Sequence, residues 1–526
     1  MSRYVNRYLL SEMMKSEARL RMRRTSTLVA MLVVVAITWL MIPDPASGNT
    51  LIAVGDARVR YNSVCLALGS SLLSSLLFGL AGFYLVRGRM QEDVRSGAGA
   101  VMASMPVSNR QFIFGRWLGG VAYLCFMVLV FLLTVLVLHL LRGEGPIQLG
   151  IYLQSYALVL LPACFFAASM ALLCESFAPL MGKSGDVLYF FIWTTQIGAP
   201  VSMMNGGTSA GWNPALLFDF SATGTAMSRF HQVLASNHFS LGIADFNHAL
   251  APVTLSEGFW SVDMIFARLL CLAVAMLPLL PAIFLFHRFS PDKVKSAGVK
   301  KNWSLLRLLN RLVRPLAAFS HPLFALSARL PGLPGQIVAE LALTVATSPV
   351  AVIGIAVVML LGSVLEQAAL SALVMVGVAF WGVQIADLSV RDFQSGSEDL
   401  GGVAHGGRRY RYLRQLCAGY VAGLLLFFPV IVRWFVSDSG RALALVTGLF
   451  ALSAAASFLG RLTRTARTFL ALFLFGLYIA TQARTVAVLD VVGFNGMANT
   501  GTIAGQLLLG MVLCAFMILY ERTSEK

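Results

Sequence analysis

Residues 93–97 read Asp-Val-Arg-Ser-Gly and residues 392–396 read Asp-Phe-Gln-Ser-Gly, so one short charged element occurs twice in the chain. Each copy follows a long apolar stretch and precedes a basic segment and a further apolar stretch. The basic segments lead into Arg116-Trp117-Leu118 after the first copy and Arg414-Gln415-Leu416 after the second. The repetition predicts two membrane halves, each with one charged loop at an equivalent place.

The composition of the chain is that of a membrane protein. Its 526 residues are 58% hydrophobic and 12% charged, whereas soluble domains carry about 25% charged residues. Apolar runs recur from end to end, and about 20 apolar residues suffice for a helix to cross a bilayer. Because the runs are continuous rather than alternating, the spans are predicted to be helices rather than barrel strands.

We therefore predict an all-α polytopic membrane protein with about twelve transmembrane helices in two six-helix repeats. Residues 1–25 are predicted to form an interfacial helix and 26–287 the first six-span half, with an external loop at 204–263. A cytoplasmic linker at 288–333 then precedes the second half, 334–526. The predicted spans are 26–42, 63–86, 118–141, 151–174, 187–203, 264–287, 348–361, 369–386, 416–435, 442–460, 468–483 and 503–520.

The segments before the first and seventh predicted spans also resemble each other. Residues 3–24 carry apolar side chains at helical spacing among many arginines, which predicts a helix lying on the membrane surface. A second candidate helix at 336–347 lacks the basic residues. Glu17 and Glu340 occupy matching places in the two segments, each eight residues before the residue that opens the span, Thr25 or Ser348.

The distribution of the +16 net charge predicts the orientation. With an even number of spans, all seven lysines fall on the same side as both termini, together with arginine clusters at 3–24, 87–116, 288–314, 408–414 and 461–467. By the positive-inside rule that side is the cytoplasm. The membrane topology and contact with anionic lipids thus explain the excess of basic over acidic residues, and no nucleic-acid partner is expected.

No pattern in the sequence favours an enzyme or a metal site. Gly182-Lys183-Ser184 resembles the end of a phosphate-binding loop, but Phe177 stands where that loop needs a glycine. The histidines of the external loop, at 231, 238 and 248, match no usual metal spacing. The seven cysteines lie in or beside predicted spans, where thiols act as small packing residues. If ATP drives this protein, another chain is expected to bind it.

Polar side chains inside the predicted spans allow two interpretations. One is a weakly polar path for an amphipathic cargo, and the other is hydrogen bonding and close packing between helices. No span carries an acid at mid-depth, which counts against a proton- or sodium-coupled carrier. Arg268, Asp387 and Arg433 lie near span ends, from which they can reach water. The residues assigned to the path are Ser71, Ser74, Trp193, Thr195, Gln196, Gln384, Tyr478 and Gln482.

The first loop, with residues 105–120 reading Met-Pro-Val-Ser-Asn-Arg-Gln-Phe-Ile-Phe-Gly-Arg-Trp-Leu-Gly-Gly, resembles the permeases of type 2 ABC exporters. The resemblance is strongest over residues 1–180. The second copy lacks Pro-Val-Ser and has Gly406-Gly407-Arg408-Arg409 instead. The resemblance implies an interfacial helix, six spans per half and a coupling helix in this loop that docks on a separate ATPase.

The resemblance implies that one such chain works with two copies of a cytoplasmic ABC ATPase in a bacterial inner membrane, both termini being cytoplasmic. The resemblance also implies that this chain binds no cofactor itself, since ATP and magnesium bind to the partner ATPase. The cargo would be a small amphipathic molecule, such as a peptide, an antibiotic or a lipid-like compound. The residues expected at the ATPase contact are Glu92, Asp93, Ser96, Gly97, Pro106, Asn109 and Arg110 in the first loop and Asp392, Ser395, Gly396, Arg408 and Arg409 in the second.

Two other functions remain open at this point. A twelve-span secondary transporter driven by an ion gradient would fit the basic central linker, although such carriers usually have a short turn where this chain has residues 87–117. A membrane-embedded enzyme acting on lipid or glycan would need a cluster of polar or acidic residues at an interface, and the sequence shows no such cluster.

Overall fold

The computed structural model describes residues 3–205, 214–234, 239–256, 258–286, 289, 314–348, 350–398 and 407–523. The described residues are mostly helical. The chain divides into two compact units, Met1–Lys300 and Lys301–Lys526. Most of the linker predicted at 288–333 lies outside the described residues.

The first unit begins with a bent pair of helices, followed by long apolar helices. Helix α1 (Arg3–Met22) meets α2 (Thr25–Met41) at an angle of 75°. The remaining helices of this unit are α3 (Ser63–Val86), α4 (Arg89–Arg95), α5 (Ala98–Ser104), α6 (Asn109–Arg142), α7 (Leu149–Ser176), α8 (Lys183–Asn205), α9 (Thr223–Leu234), α10 (Val262–Ala275) and α11 (Leu279–Leu285).

The first unit also contains a small antiparallel sheet, so the prediction of a purely helical fold is wrong on this point. Strand β1 (Asn49–Val54) lies between β2 (Ala57–Arg58) and β3 (Phe239–Asp245). Gly55 opens the hairpin between β1 and β2 with φ 58°, a backbone conformation that glycine adopts without strain. The external loop predicted at 204–263 therefore contributes a strand, paired with residues far earlier in the chain.

Two buried polar side chains join separate segments of the first unit. The Tyr61 hydroxyl accepts a hydrogen bond from the Leu51 amide at 2.8 Å and donates to the Pro43 carbonyl at 3.0 Å, and burial raises the pKa of Tyr61 to about 12. Arg268 on α10 is buried, where it donates to carbonyls of Leu158, Asp219 and Phe220. Arg268 therefore does not reach water as the sequence suggested.

The second unit also contains a bent pair. Helix α13 (Gly332–Thr347) meets α14 (Val350–Val364) at 102°. The other helices are α12 (Ser320–Arg329), α15 (Leu370–Ile385), α16 (Arg391–Ser395), α17 (Gly407–Ser437), α18 (Ser439–Thr463), α19 (Ala466–Gln482) and α20 (Thr500–Thr523).

The number of spans falls between eight and ten by length and composition. Among the described residues, eight helices are long and apolar enough to cross a membrane, and ten are if each bent pair counts as one span. The fifth and eleventh predicted spans correspond to α8 and α19. Helix α8 does not meet the same criterion, and α19 is apolar but shorter. The structure thus shows a polytopic helical membrane protein, and the finer twelve-span arrangement stays a prediction.

The helices of each unit, taken by itself, pack in the same order. In the first unit α6 contacts α1, α2 and α7, while α3 contacts α7 and α8, and α10 contacts α7. In the second unit α17 contacts α13, α14 and α18, while α15 contacts α18 and α19, and α20 contacts α18. Each bent pair is thus placed against the long helix that follows the charged loop.

Candidate functional site

The first charged loop is built on a helix whose start is held by a distant carboxylate. Gly88 precedes α4 with φ 104°. The Glu175 side chain at the end of α7 accepts hydrogen bonds from the backbone amides of Gly88 and, at 3.1 Å, Met90. A carboxylate at a helix N-terminus satisfies free amides and complements the helix dipole. The loop therefore starts from a fixed position on α7.

A buried ion cluster then joins this loop to two other helices. We call Glu17, Arg89, Asp93 and Arg116 the first cluster. Arg116 on α6 donates to the Asp93 carboxylate on α4, and its Nε lies 3.5 Å from Glu17 Oε1 on α1. Arg89 lies 3.6 Å from Glu17 and 3.4 Å from Asp93. The Asp93 and Arg116 side chains are each only 1% exposed, so this ion pair lies inside the protein.

The second unit has an equivalent arrangement, which we call the second cluster: Glu340, Arg391, Asp392 and Arg414. The Arg414 Nε lies 2.8 Å from Glu340 Oε1 on α13, and its Nη2 donates to Asp392 Oδ2 on α16 at 3.3 Å. Arg391 lies 3.6 Å from Glu340. In each unit one arginine of the long helix therefore joins a glutamate of the bent pair to the aspartate of the loop.

The repeated Asp-x-x-Ser-Gly has the same local structure in both units. The Ser96 hydroxyl donates to the Asp93 carbonyl at 3.3 Å, and the Ser395 hydroxyl donates to the Asp392 carbonyl at 3.2 Å. The glycine that follows is left-handed in both copies, with φ 75° at residue 97 and 69° at residue 396. A left-handed glycine commonly ends a helix. The motif thus places the aspartate and ends the short helix.

The residues expected at the ATPase contact divide into two groups in the first loop. Asp93 is buried, and Glu92 is half-buried in an ion pair with Arg24 and another, at 3.1 Å, with Arg89. Ser96, Gly97, Pro106 and Arg110 are exposed, and half-buried Asn109 donates to the Phe286 carbonyl at 3.5 Å. Two apolar side chains are also exposed here: Val101 at 60% and Met105 at 45%.

The second loop exposes a different surface. Ser395 and Gly396 are exposed, and so is Phe393, whose ring lies under the Arg464 guanidinium at 5.2 Å. Asp392 is half-buried, at 21% exposure. Arg408 and Arg409 lie in the first turn of α17, and their side chains are outside the described part of the structure.

The residues assigned to a polar path in the first unit mostly serve helix packing. The Ser71 and Ser74 hydroxyls are buried and donate to carbonyls of their own helix, at 3.0 and 3.1 Å. Trp193 is fully buried against Gly79 of α3. Thr195 lies on another face of α8, exposed, and Gln196 is half-buried. These contacts favour the packing interpretation for Ser71, Ser74 and Trp193.

The path residues of the second unit lie in two different helices and differ in exposure. Gln384 on α15 is half-buried and lines a cavity, whereas on α19 Tyr478 is half-buried and Gln482 is exposed. Within the described residues, no three histidine, cysteine or acidic side chains converge as metal ligands would. The charged side chains described above form ion pairs between helices.

Sequence reasoning missed the binding partners of the repeated aspartates. The signal was present, because Asp93 precedes Arg116 by 23 residues and Asp392 precedes Arg414 by 22. Glu17 and Glu340 also match in sequence, since each lies eight residues before Thr25 or Ser348. The sequence could not indicate that the glutamate, the aspartate and the long-helix arginine of each unit lie in contact with one another.

Comparisons with protein-family models, with curated proteins and with solved structures gave no match. The site must therefore be interpreted from its own geometry.

Proposed function

We propose that this chain is the transmembrane permease subunit of an ATP-driven ABC exporter. It would move an amphipathic substrate, such as a peptide, an antibiotic or a lipid-like molecule, out of the cytoplasm or the inner leaflet. Two copies of a separate cytoplasmic ABC ATPase would supply the energy. The observation that carries the proposal is the pair of equivalent ion clusters, which tie each repeated loop to the bent pair and the long helix of its unit.

A loop that receives force from a partner must be firmly joined to the spans it moves. In the first cluster Arg116 contacts both Glu17 and Asp93, so α1, α4 and α6 share one buried set of charges. Removing one partner from a buried ion pair costs about 3–5 kcal/mol, because an uncompensated charge is left behind. A displacement of α4 would therefore carry α1 and α6 with it rather than break the cluster.

The exposed part of the first loop would be the contact surface for the ATPase. Val101 and Met105 expose apolar side chains on and after α5, next to exposed Pro106 and Arg110. Apolar side chains rimmed by polar ones are typical of protein contact sites. In this proposal the acids of the loop transmit the motion, while residues 101–110 make the contact.

The proposal includes twelve spans in two repeats and cytoplasmic termini in a bacterial inner membrane. Three observations support it: the bent pair that each unit contains, the same order of helix contacts within each unit, and the positive charge at the loop end of the helices. If α8 and α19 also cross the membrane, each unit has six spans.

A pull-down in mild detergent from the native host, analysed by mass spectrometry, tests the proposal. Asp93 is a poor target because its loss would disturb folding, so Met105→Asp is the informative variant. Val488→Asp is the matched control, since Val488 is also exposed but lies in the turn after α19. We expect an ABC ATPase to co-purify with wild type and Val488→Asp and to be depleted with Met105→Asp.

Two outcomes would overturn the proposal. If no ATPase accompanies the wild-type protein, transport driven by an ion gradient becomes the function to test. If the ATPase is retained equally by Met105→Asp and by Val101→Asp, the contact does not lie on this loop.

A further inference from the structure

The second unit contains a cavity of about 160 Å³ among α12, α13, α14, α15 and α17. Its wall is almost entirely hydrocarbon, with Leu341, Ile355, Trp381 and Leu426 on four different helices. Thr344 and Gln384 are the two polar side chains of the wall. The cavity belongs to this unit alone and does not depend on the function proposed above.

The size and lining of the cavity favour an apolar occupant over water. A cavity of about 150 Å³ lined by Leu, Ile and Phe stays dry and binds benzene, whereas a buried water needs two to four polar partners. The Thr344 hydroxyl already donates to the Glu340 carbonyl at 2.8 Å and accepts from Arg391 at 3.2 Å. The wall therefore offers few free hydrogen-bond partners to a water molecule and an extensive apolar surface to a hydrocarbon group.

The cavity lies at the charged end of the unit. Its residues on α15 are in the last turns of that helix, close to the loop, and those on α17 lie in the middle of that helix, between residues 418 and 426. Thr344 joins the wall to the second cluster through Arg391. An amphipathic molecule can thus place a chain in the cavity while its polar end stays near charged groups.

The neighbouring helices also indicate where such a molecule comes from. Phe324 and Leu326 on α12 and Leu343 on α13 are exposed, so these wall helices present apolar side chains on their outer sides. Helices that expose apolar side chains at a membrane surface bury them at the boundary between headgroups and acyl chains, where lipid tails are the most concentrated hydrocarbon. We propose that the cavity binds the end of an acyl chain of a bilayer lipid.

Photo-crosslinking tests this proposal on the full chain. The protein is purified in detergent, stripped of lipid, supplied with phosphatidylglycerol that carries a diazirine in one chain, irradiated and mapped by mass spectrometry. We expect labelled peptides from residues 341–345, 380–388 and 418–426. Ala422 lines the cavity, so Ala422→Leu should reduce this labelling several-fold, while Ala515→Leu, at an exposed position of α20, should leave it unchanged.

Competition identifies the source of the chain, and a melting curve monitors folding. Excess unlabelled phosphatidylglycerol should abolish the labelling, whereas lauric acid at the same chain concentration should compete less well. Phosphatidylglycerol should also raise the melting temperature of wild type more than that of Ala422→Leu. If Ala422→Leu does not fold, Ala418→Val replaces it. Equal labelling of wild type and a folded filled variant, or better competition by lauric acid, would overturn the proposal.

Discussion

Arg116 on α6 and Asp93 on α4 form an ion pair that is almost completely shielded from solvent, whereas its equivalent, Arg414 with Asp392, is about one-fifth exposed. The two pairs occupy the same place in their units but differ in environment. A buried charge that loses its partner is far more costly than one that water can reach. The loss of stability on removing the aspartate should therefore differ between the two units, and this difference can be measured.

The first prediction concerns the aspartates. Asp93→Ala should destabilise the protein by about 3–5 kcal/mol because it leaves Arg116 buried and without this partner. Asp392→Ala should cost less, about 1 kcal/mol, since Arg414 keeps Glu340 at 2.8 Å and buried Arg411, 3.6 Å from Asp392, keeps Glu398 at 3.3 Å. Thermal unfolding of the two variants in the same detergent compares them. Equal losses of melting temperature would contradict the difference in environment.

The second prediction concerns the repeated glycines. A Cβ at residue 97 or 396 meets no atom within 4 Å, so only the left-handed backbone opposes a side chain. Gly97→Ala and Gly396→Ala should each cost about 1–2 kcal/mol, and asparagine should cost less. Gly476→Ala, in a helix with equally open space, is the control and should be neutral or stabilising. Melting temperatures that show no difference from the control would mean that the turns can rearrange.

The third prediction concerns Arg268. Three carbonyls receive hydrogen bonds from its guanidinium, so Arg268→Met should leave buried acceptors without donors at about 1–3 kcal/mol each. Lysine cannot reach three separated acceptors as a guanidinium does, and Arg268→Lys should fall in between. Arg110→Met, at an exposed position, should be close to wild type. Resistance to proteolysis in detergent would show whether the contacts of α10 with α7 and with residues 219–220 have loosened.

The fourth prediction separates the two interpretations of the polar residues in the spans. A Cβ at Gly79 would lie 3.0 Å from the Trp193 indole nitrogen, so Gly79→Ala should cost about 1–3 kcal/mol by overpacking if α3 and α8 are firmly packed. If Trp193 instead borders an open path, its ring can move and the substitution should be tolerated. Gly198→Ala on α8, with no neighbour within 4 Å, is the control for helix propensity. Melting temperatures of both variants provide the comparison.

The helices could be predicted well from the sequence because apolar runs, and the residues that end them, are local properties. Eleven of the predicted spans each coincide with one helix, the span at 264–287 overlaps α10 and α11, and the bent pairs begin where the interfacial segments are expected. The sheet was missed because β3 pairs with β1 from almost 200 residues away, and no local pattern reports such pairing. Asp93 was placed at a partner contact because loop charges are usually solvated. Arg116, which buries it, comes from a different helix.

The local structure of the Asp-x-x-Ser-Gly motif depends on its first residue and its last two. The aspartate is anchored to an arginine, the serine to the aspartate's carbonyl, and the glycine makes the turn. The two positions between them, Val-Arg in one copy and Phe-Gln in the other, are free to change without altering the shape of the loop. Two identical chains would always present identical loops. One polypeptide that carries both copies can evolve a different contact on each loop, so that its two halves can take on different functions.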